Sequence, residues 1–133
     1  VGLGLLAGYG LKNGAAATTV AHDSHNLIVI GTTPADMVVA ARELVRVQGG
    51  YTLVRQGKVV GTVPLNICGL MSSAAPEELI VSLDEIAEKA HAHGVPNNID
   101  PFISLSFMAL PVIPRLKITD MGMFDVDKFE FVK

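Results

Sequence analysis

The residues best equipped for chemistry form one uninterrupted run, His22-Asp23-Ser24-His25-Asn26, set between the largely apolar stretches Ala15 to Ala21 and Leu27 to Ile30. Histidine, carboxylate and hydroxyl side by side invite a triad reading. In Ser/His/acid catalysis, however, the three groups converge from separate places, whereas neighbours along an extended chain alternate faces. A self-contained triad is therefore not expected. A metal centre fares little better, because a catalytic zinc usually takes three protein ligands and no third histidine lies near His22 and His25. Polar groups wedged between buried strands cost free energy unless they are paired or used. Two readings remain: a self-satisfied turn in which Asp23 and Asn26 bond the backbone while the histidines pack, or a polar lip facing a ligand or another domain.

Other reactive residue types are weaker candidates. His91-Ala92-His93 has the HxH spacing of many metallohydrolases, which works on a strand because residues i and i+2 share a face. On a helix the two point roughly 200° apart, and solvated residues at a helix end are expected there. Cys68, Ser72 and Ser73 lie in a small-residue loop with no adjacent base. Gly2, Gly4 and Gly8 do not match GxGxxG, and a glycine-rich strand or connection is the reading for Val1 to Gly10.

The elements that must hold the polar run follow from pattern. Ala15 to Ala21 and Leu27 to Ile30 read as an antiparallel pair joined by the run itself. Thr33-Pro34-Ala35-Asp36 opens a helix with a Thr cap, Pro at the first position and an acid in the first turn. Met37, Ala41, Leu44, Val45 and Gln48 share one face of it, and Gly49-Gly50 stops it. Tyr51 to Arg55 and Lys58 to Val63 form a hairpin about Gln56-Gly57. Asn66 to Ala75 is a loop that touches the core through Ile67, Leu70 and Met71.

A second helix spans Pro76 to His93, with Leu79, Leu83, Ile86, Ala87 and Ala90 as its apolar stripe. Asp100-Pro101 begins a third, short helical stretch that ends before Pro111. Val112 to Lys117 reads as extended, Thr119 to Gly122 as a turn, and Lys128 to Val132 as a last strand. The fold class is α+β: a mixed or antiparallel sheet with three packed helices in a single two-layer domain over residues 1–133.

Composition narrows the function. At 133 residues the chain can bury roughly two thirds of its unfolded surface. It is half hydrophobic, only 17% charged, and carries a net charge of -3 with scattered Lys and Arg, so no basic stripe for nucleic acid exists. Pro101 to Pro114 is too short and too interrupted to span a membrane. One cysteine, Cys68, allows no internal disulfide and points to a reducing, cytoplasmic setting. Beginning with Val rather than Met, the chain reads as a truncated or processed piece.

Four segments together resemble a known family. Gly10 to Ala15 (GLKNGA), Val20 to Asn26 (VAHDSHN), Gly69 to Ser72 (GLMS) and Asp100 to Asp125 (DPFISLSFMALPVIPRLKITDMGMFD) are similar, in the same order, to the carboxy-terminal domain of the bacterial and archaeal adenine deaminases of the amidohydrolase superfamily. The resemblance implies hydrolysis of adenine to hypoxanthine and ammonia in purine salvage. It also implies a metal-bearing barrel outside this chain, with iron or manganese generating a hydroxide that attacks C6. His91 and His93 do not match the barrel's HxH, so the chain alone is expected to be inactive and to hold no cofactor.

His22, Asp23, Ser24, His25 and Asn26 match the family's AHDSHN segment position for position. They are the candidate active-site lip, projecting toward the barrel mouth. The barrel domain and, through it, adenine are the implied partners. A homodimer of the exposed apolar face is the other expected association, and a non-catalytic small-molecule binding or oligomerisation module is the alternative function.

Overall fold

At the centre of the main sheet lies β1 (Gly14–Thr18), whose five residues, GAAAT, are all buried in the computed structural model, which describes residues 1–132. Glycine and alanine leave room for cover on both faces. β2 (Ile28–Gly31) pairs antiparallel on one side, with Ile30 opposite Ala16, and β3 (Gly50–Arg55) on the other, with Leu53 opposite Ala16. β4 (Lys58–Pro64) closes the sheet in the order β2-β1-β3-β4. The β3–β4 turn falls at Gln56-Gly57, both with positive φ, the geometry that two-residue hairpins favour.

Helix α1 (Pro34–Arg46) covers one face: Ala15, Ala17 and Val54 pack with Ala40 and Leu44. The opposite face, through Ala16, Leu53 and Val63, packs on Ile86 and Ala90 of α2 (Pro76–Ala92), on Leu105 of α3 (Ile103–Ser106) and on its N-cap residue Phe102. The α+β class, the three helices and the first hairpins stand as expected, and both sheets are antiparallel throughout. The expected two layers become three. The reason lies in the alanines, whose methyl groups on alternate faces admit a helix to either side.

Several local expectations are corrected. β1 ends at Thr18 rather than Ala21. On α1 the buried stripe is Asp36, Ala40 and Leu44, while Val45 is 74% exposed and Gln48 is exposed. The helix is rotated because Asp36 turns inward, its Oδ1 accepting the Gly57 N–H at 2.6 Å and its Oδ2 the Thr33 hydroxyl at 2.9 Å. In the Asn66 to Ala75 loop, Ile67 and Met71 are exposed and only Leu70 is half-buried.

The chain after α3 continues through a 3-10 turn (Phe107–Ala109) into a second sheet of β5 (Leu116–Thr119), β6 (Gly122–Asp125) and β7 (Glu130–Phe131). The sequence pattern contains no expectation of β6, and it places one longer strand where β7 stands. Val1 to Gly10 is no strand but an irregular arm along β5, where Gly2 lies too close to the Thr119 carbonyl for any larger residue and Gly4 packs on the flexible end of Met123.

Candidate functional site: the His22–Asn26 turn

The chain enters the turn through a fixed root. The buried Thr18 hydroxyl accepts the Val20 N–H at 2.9 Å and donates to the Val20 carbonyl at 3.3 Å, bending the chain out of the sheet. Thr19 ties the same point to two other segments, its Oγ1 accepting the Gly50 N–H at 2.8 Å and donating to the Gly69 carbonyl at 2.7 Å. Gly69 has φ of +72° and lies against Thr19 and Gly49 too closely for a larger residue at position 49, which gives the GLMS segment a structural role as a buttress. Ala21 is fully buried.

Beyond Ala21 all five residues are exposed. The turn is closed by its main chain, with Ser24 N–H donating to the His22 carbonyl at 3.0 Å and His25 N–H to the Ala21 carbonyl at 2.9 Å. Asp23 and His25 adopt left-handed backbone at φ of 65° and 47°, a conformation that Asp and His tolerate better than most residues. The expectation that Asp23 and Asn26 satisfy the turn backbone is therefore corrected: main-chain bonds do that work. Among the described residues no buried polar side-chain atom lacks a partner, so nothing in the scaffold requires these side chains.

His22 alone of the five is gripped. Its N–H donates to the Ser106 carbonyl at 3.1 Å, and its ring stacks on Phe107 with centroids 4.8 Å apart and planes inclined by 29°. Those two partners come from the DPFISLSFMALP segment, which is itself anchored. The Asp100 carboxylate accepts the N–H groups of Phe102 and Ile103 at 2.8 and 2.7 Å, and the buried Tyr9 hydroxyl donates to the Pro101 carbonyl at 2.8 Å. Burial first, and the Asp100 charge second, push the Tyr9 and Tyr51 phenols above their ordinary range, so both stay neutral. Phe107 was legible only as part of a short helical stretch; its place under His22 depends on a contact across 85 positions of the chain.

The remaining candidates are dispersed. His91 and His93 lie on α2 and its cap: His91 Nδ1 bonds the Val95 carbonyl at 3.0 Å. His93 Nε2 accepts from Arg55 at 3.3 Å while its Nδ1 bonds the Lys89 carbonyl, which fixes the Nδ1–H tautomer because guanidinium can only donate. Both are half-buried rather than freely solvated. Ser73 pairs with Asn66, and Cys68 is exposed. Among the described residues no three His, Cys, Asp or Glu side chains converge as metal ligands, so the donor set here does not fit a metal ion. No helix among them is long and apolar enough to cross a membrane.

A cleft of about 550 Å³ opens between the arm, the free edge of β2 and β5, lined by Leu3, Leu6, Ile28, Ile30, Met37 and Ile118. Lys117, 8% exposed, lies at its wall with Nζ donating to the Pro114 carbonyl at 3.4 Å.

Comparison with known proteins gives this arrangement a family context. The family model described as the adenine deaminase C-terminal domain matches residues 1–130. The chain is 50% identical over 132 residues to an adenine deaminase of Nitratidesulfovibrio vulgaris, covering 98% of this chain and 23% of that protein. It is 46% identical to an adenine deaminase of Halalkalibacterium halodurans, covering 99% and 23%, and 49% identical to adenine deaminase 2 of Carboxydothermus hydrogenoformans with the same coverage. The chain thus spans about a quarter of the length of these relatives.

Proposed function

Because the chain belongs to the adenine deaminase C-terminal domain family, we propose that it is the carboxy-terminal domain of an adenine deaminase and that its His22–Asn26 turn completes that enzyme's purine site. The reaction is hydrolytic: a water oxygen bonds to C6 of adenine, the exocyclic C6–N bond breaks, and ammonia leaves with hypoxanthine as product. A metal centre in the barrel, iron or manganese, would supply the attacking hydroxide. This domain contributes no ligand. Its part is to bring imidazole, carboxylate, hydroxyl and amide groups to the mouth of the barrel, where they can hydrogen-bond the purine edge and exclude bulk water from the reacting carbon.

One observation carries the reading. Five adjacent polar side chains stand exposed on a turn whose own hydrogen bonds are all main-chain, so they are free for a partner. The apolar cleft beside β2 and the exposed Leu3 and Leu5 suit a domain that packs against the rest of the enzyme, and we assign that surface to the barrel rather than to a homodimer. A lone exposed thiol fits a reducing cytoplasm, the setting of purine salvage.

The test uses the full-length enzyme. Replacing His22 or His25 by Ala should lower kcat for adenine by at least about tenfold, in the range of lost positioning or proton-transfer groups, while metal content stays at the wild-type level. Wild-type turnover in both variants would sink the proposal.

A further inference from the structure

We propose that Phe107 is the positioning residue for His22, holding its imidazole in the one orientation that the purine site uses. The inference rests on the reading of the turn given above and adds to it a residue outside the turn. An imidazole on an exposed turn has several rotamers open to it, and catalysis is served by only one arrangement. Here two contacts remove that freedom. The His22 N–H bond to the Ser106 carbonyl fixes the backbone at the ring's origin, and the offset stack on Phe107 fixes the plane of the ring.

Stacking holds the ring through its face. Both ring nitrogens lie in the perimeter, so an imidazole held this way can still donate and accept toward a ligand. An edge-on packing or a hydrogen bond to the protein would have consumed one of them. His91 and His93 illustrate the alternative, since each spends ring nitrogens on backbone carbonyls or on Arg55. His22 is the histidine that is both oriented and unspent. His25, by contrast, is held by its backbone N–H alone.

The platform is rigid enough to serve. Phe107 follows α3 directly, between the buried Ser106 and the buried Ala109-Leu110 pair. Ser106 Oγ donates to the Ile103 carbonyl at 2.7 Å, and the Asp100 carboxylate holds the start of the segment through two N–H groups. None of these contacts needs the Phe107 ring, which is half-buried. The ring's one paired aromatic partner is His22.

The experiment is a double-mutant cycle in the full-length enzyme with Phe107→Leu, Phe107→Tyr, His22→Ala and the double variant His22→Ala/Phe107→Leu. Phe107→Leu removes the flat face and should lower kcat by about tenfold, less than the hundredfold that a 1 Å misplacement can cost, with KM for adenine changed by less than about twofold. Phe107→Tyr keeps the face and should restore wild-type kcat, a rescue that a merely volumetric role would not require.

In the His22→Ala background, Phe107→Leu should have no further effect on kcat. Full additivity of the two losses, or a wild-type kcat for Phe107→Leu, would overturn the positioning role while leaving the turn's part in the site intact. A wild-type kcat for His22→Ala would instead remove the reading on which both rest. Thermal midpoints of the same preparations separate misfolding from misorientation, and Phe107→Met replaces Phe107→Leu should the latter unfold.

Discussion

Gly14–Ala17 and His22–Asn26 are separated by only four residues, yet they occupy opposite environments. The first four residues are fully enclosed, carry no side-chain polar atom and are covered by helices on both faces. The five residues of the turn are all exposed, and every one carries a group able to donate, accept or titrate. Between them Thr18 and Thr19 convert a strand of the core into a projecting loop, using hydroxyls to satisfy the main chain at the bend. Each segment answers to a different constraint. Small size at 14–17 is demanded by packing; polarity at 22–26 is demanded by nothing inside the domain. Substitutions in the first should therefore cost folding, and substitutions in the second should cost function alone.

The largest expected effect lies in the enclosed region. Leu53, with no exposed surface, stands opposite Ala16 on β3 and packs in the cluster that joins the sheet to α2 and α3. Leu53→Ala should destabilise this chain by about 2–5 kcal/mol through lost burial and the cavity left behind. Urea unfolding measures it. Ser24→Ala, at an exposed position of the turn with ordinary backbone, should change stability by less than about 0.5 kcal/mol by the same measurement, as surface positions do. A comparable loss from both variants would break the contrast, since it would mean that the turn serves the fold after all.

An intermediate effect belongs to the joint. Thr19→Val keeps the shape of the side chain but removes the acceptor for the Gly50 N–H and the donor to the Gly69 carbonyl. Gly50 is buried, so its N–H loses a side-chain partner that water cannot readily replace. The cost should be about 1–3 kcal/mol in unfolding free energy. Because Thr19 also sets the direction in which the chain leaves the sheet, the same variant in the full-length enzyme should lower kcat. A stability loss with wild-type kcat would show that the turn holds its place without this root.

Much of the scaffold is legible in the sequence because its signals are local. Thr33-Pro34 marks the α1 start, Gln56-Gly57 the hairpin, and the stripe of Leu79, Leu83, Ile86 and Ala90 the buried side of α2. The third layer is not local. It depends on which faces of an alanine strand two separate helices choose, and the same three alanines fit a sheet covered on one side. The rotation of α1 escapes for a similar reason: Asp36 turns inward to reach Gly57, 21 positions away. β6 is hidden because its four residues, GMFD, look like the continuation of a turn. At the site, polarity between apolar runs identifies the five residues, whereas Thr18, Thr19, Ser106 and Phe107 are defined by contacts that only the folded chain creates.

The smallest effect concerns charge in the scaffold and carries a definite sign. Glu43 on α1 accepts from Arg46 at 2.8 Å through both carboxylate oxygens and from the Thr62 hydroxyl at 2.9 Å, joining the helix to β4. The Arg46 hydrogen bond above all, helped by Thr62 and the guanidinium charge, holds its carboxyl below the ordinary value of 4.5, with burial opposing. A carboxyl whose folded value is lowered binds its proton more readily in the unfolded chain. Its contribution is therefore fully present above about pH 4.5, where the unfolded chain is also ionised, and disappears as pH falls through the lower folded value. Glu43→Gln removes that dependence. Unfolding curves of the variant and the wild-type chain should be separated modestly near neutral pH, as an ion pair with one exposed partner allows, and should converge as the solution is acidified. Curves that stay parallel through the acid range would show that the bidentate pair adds nothing to α1 docking, leaving the apolar contacts of Ala40 and Leu44 to hold that face alone.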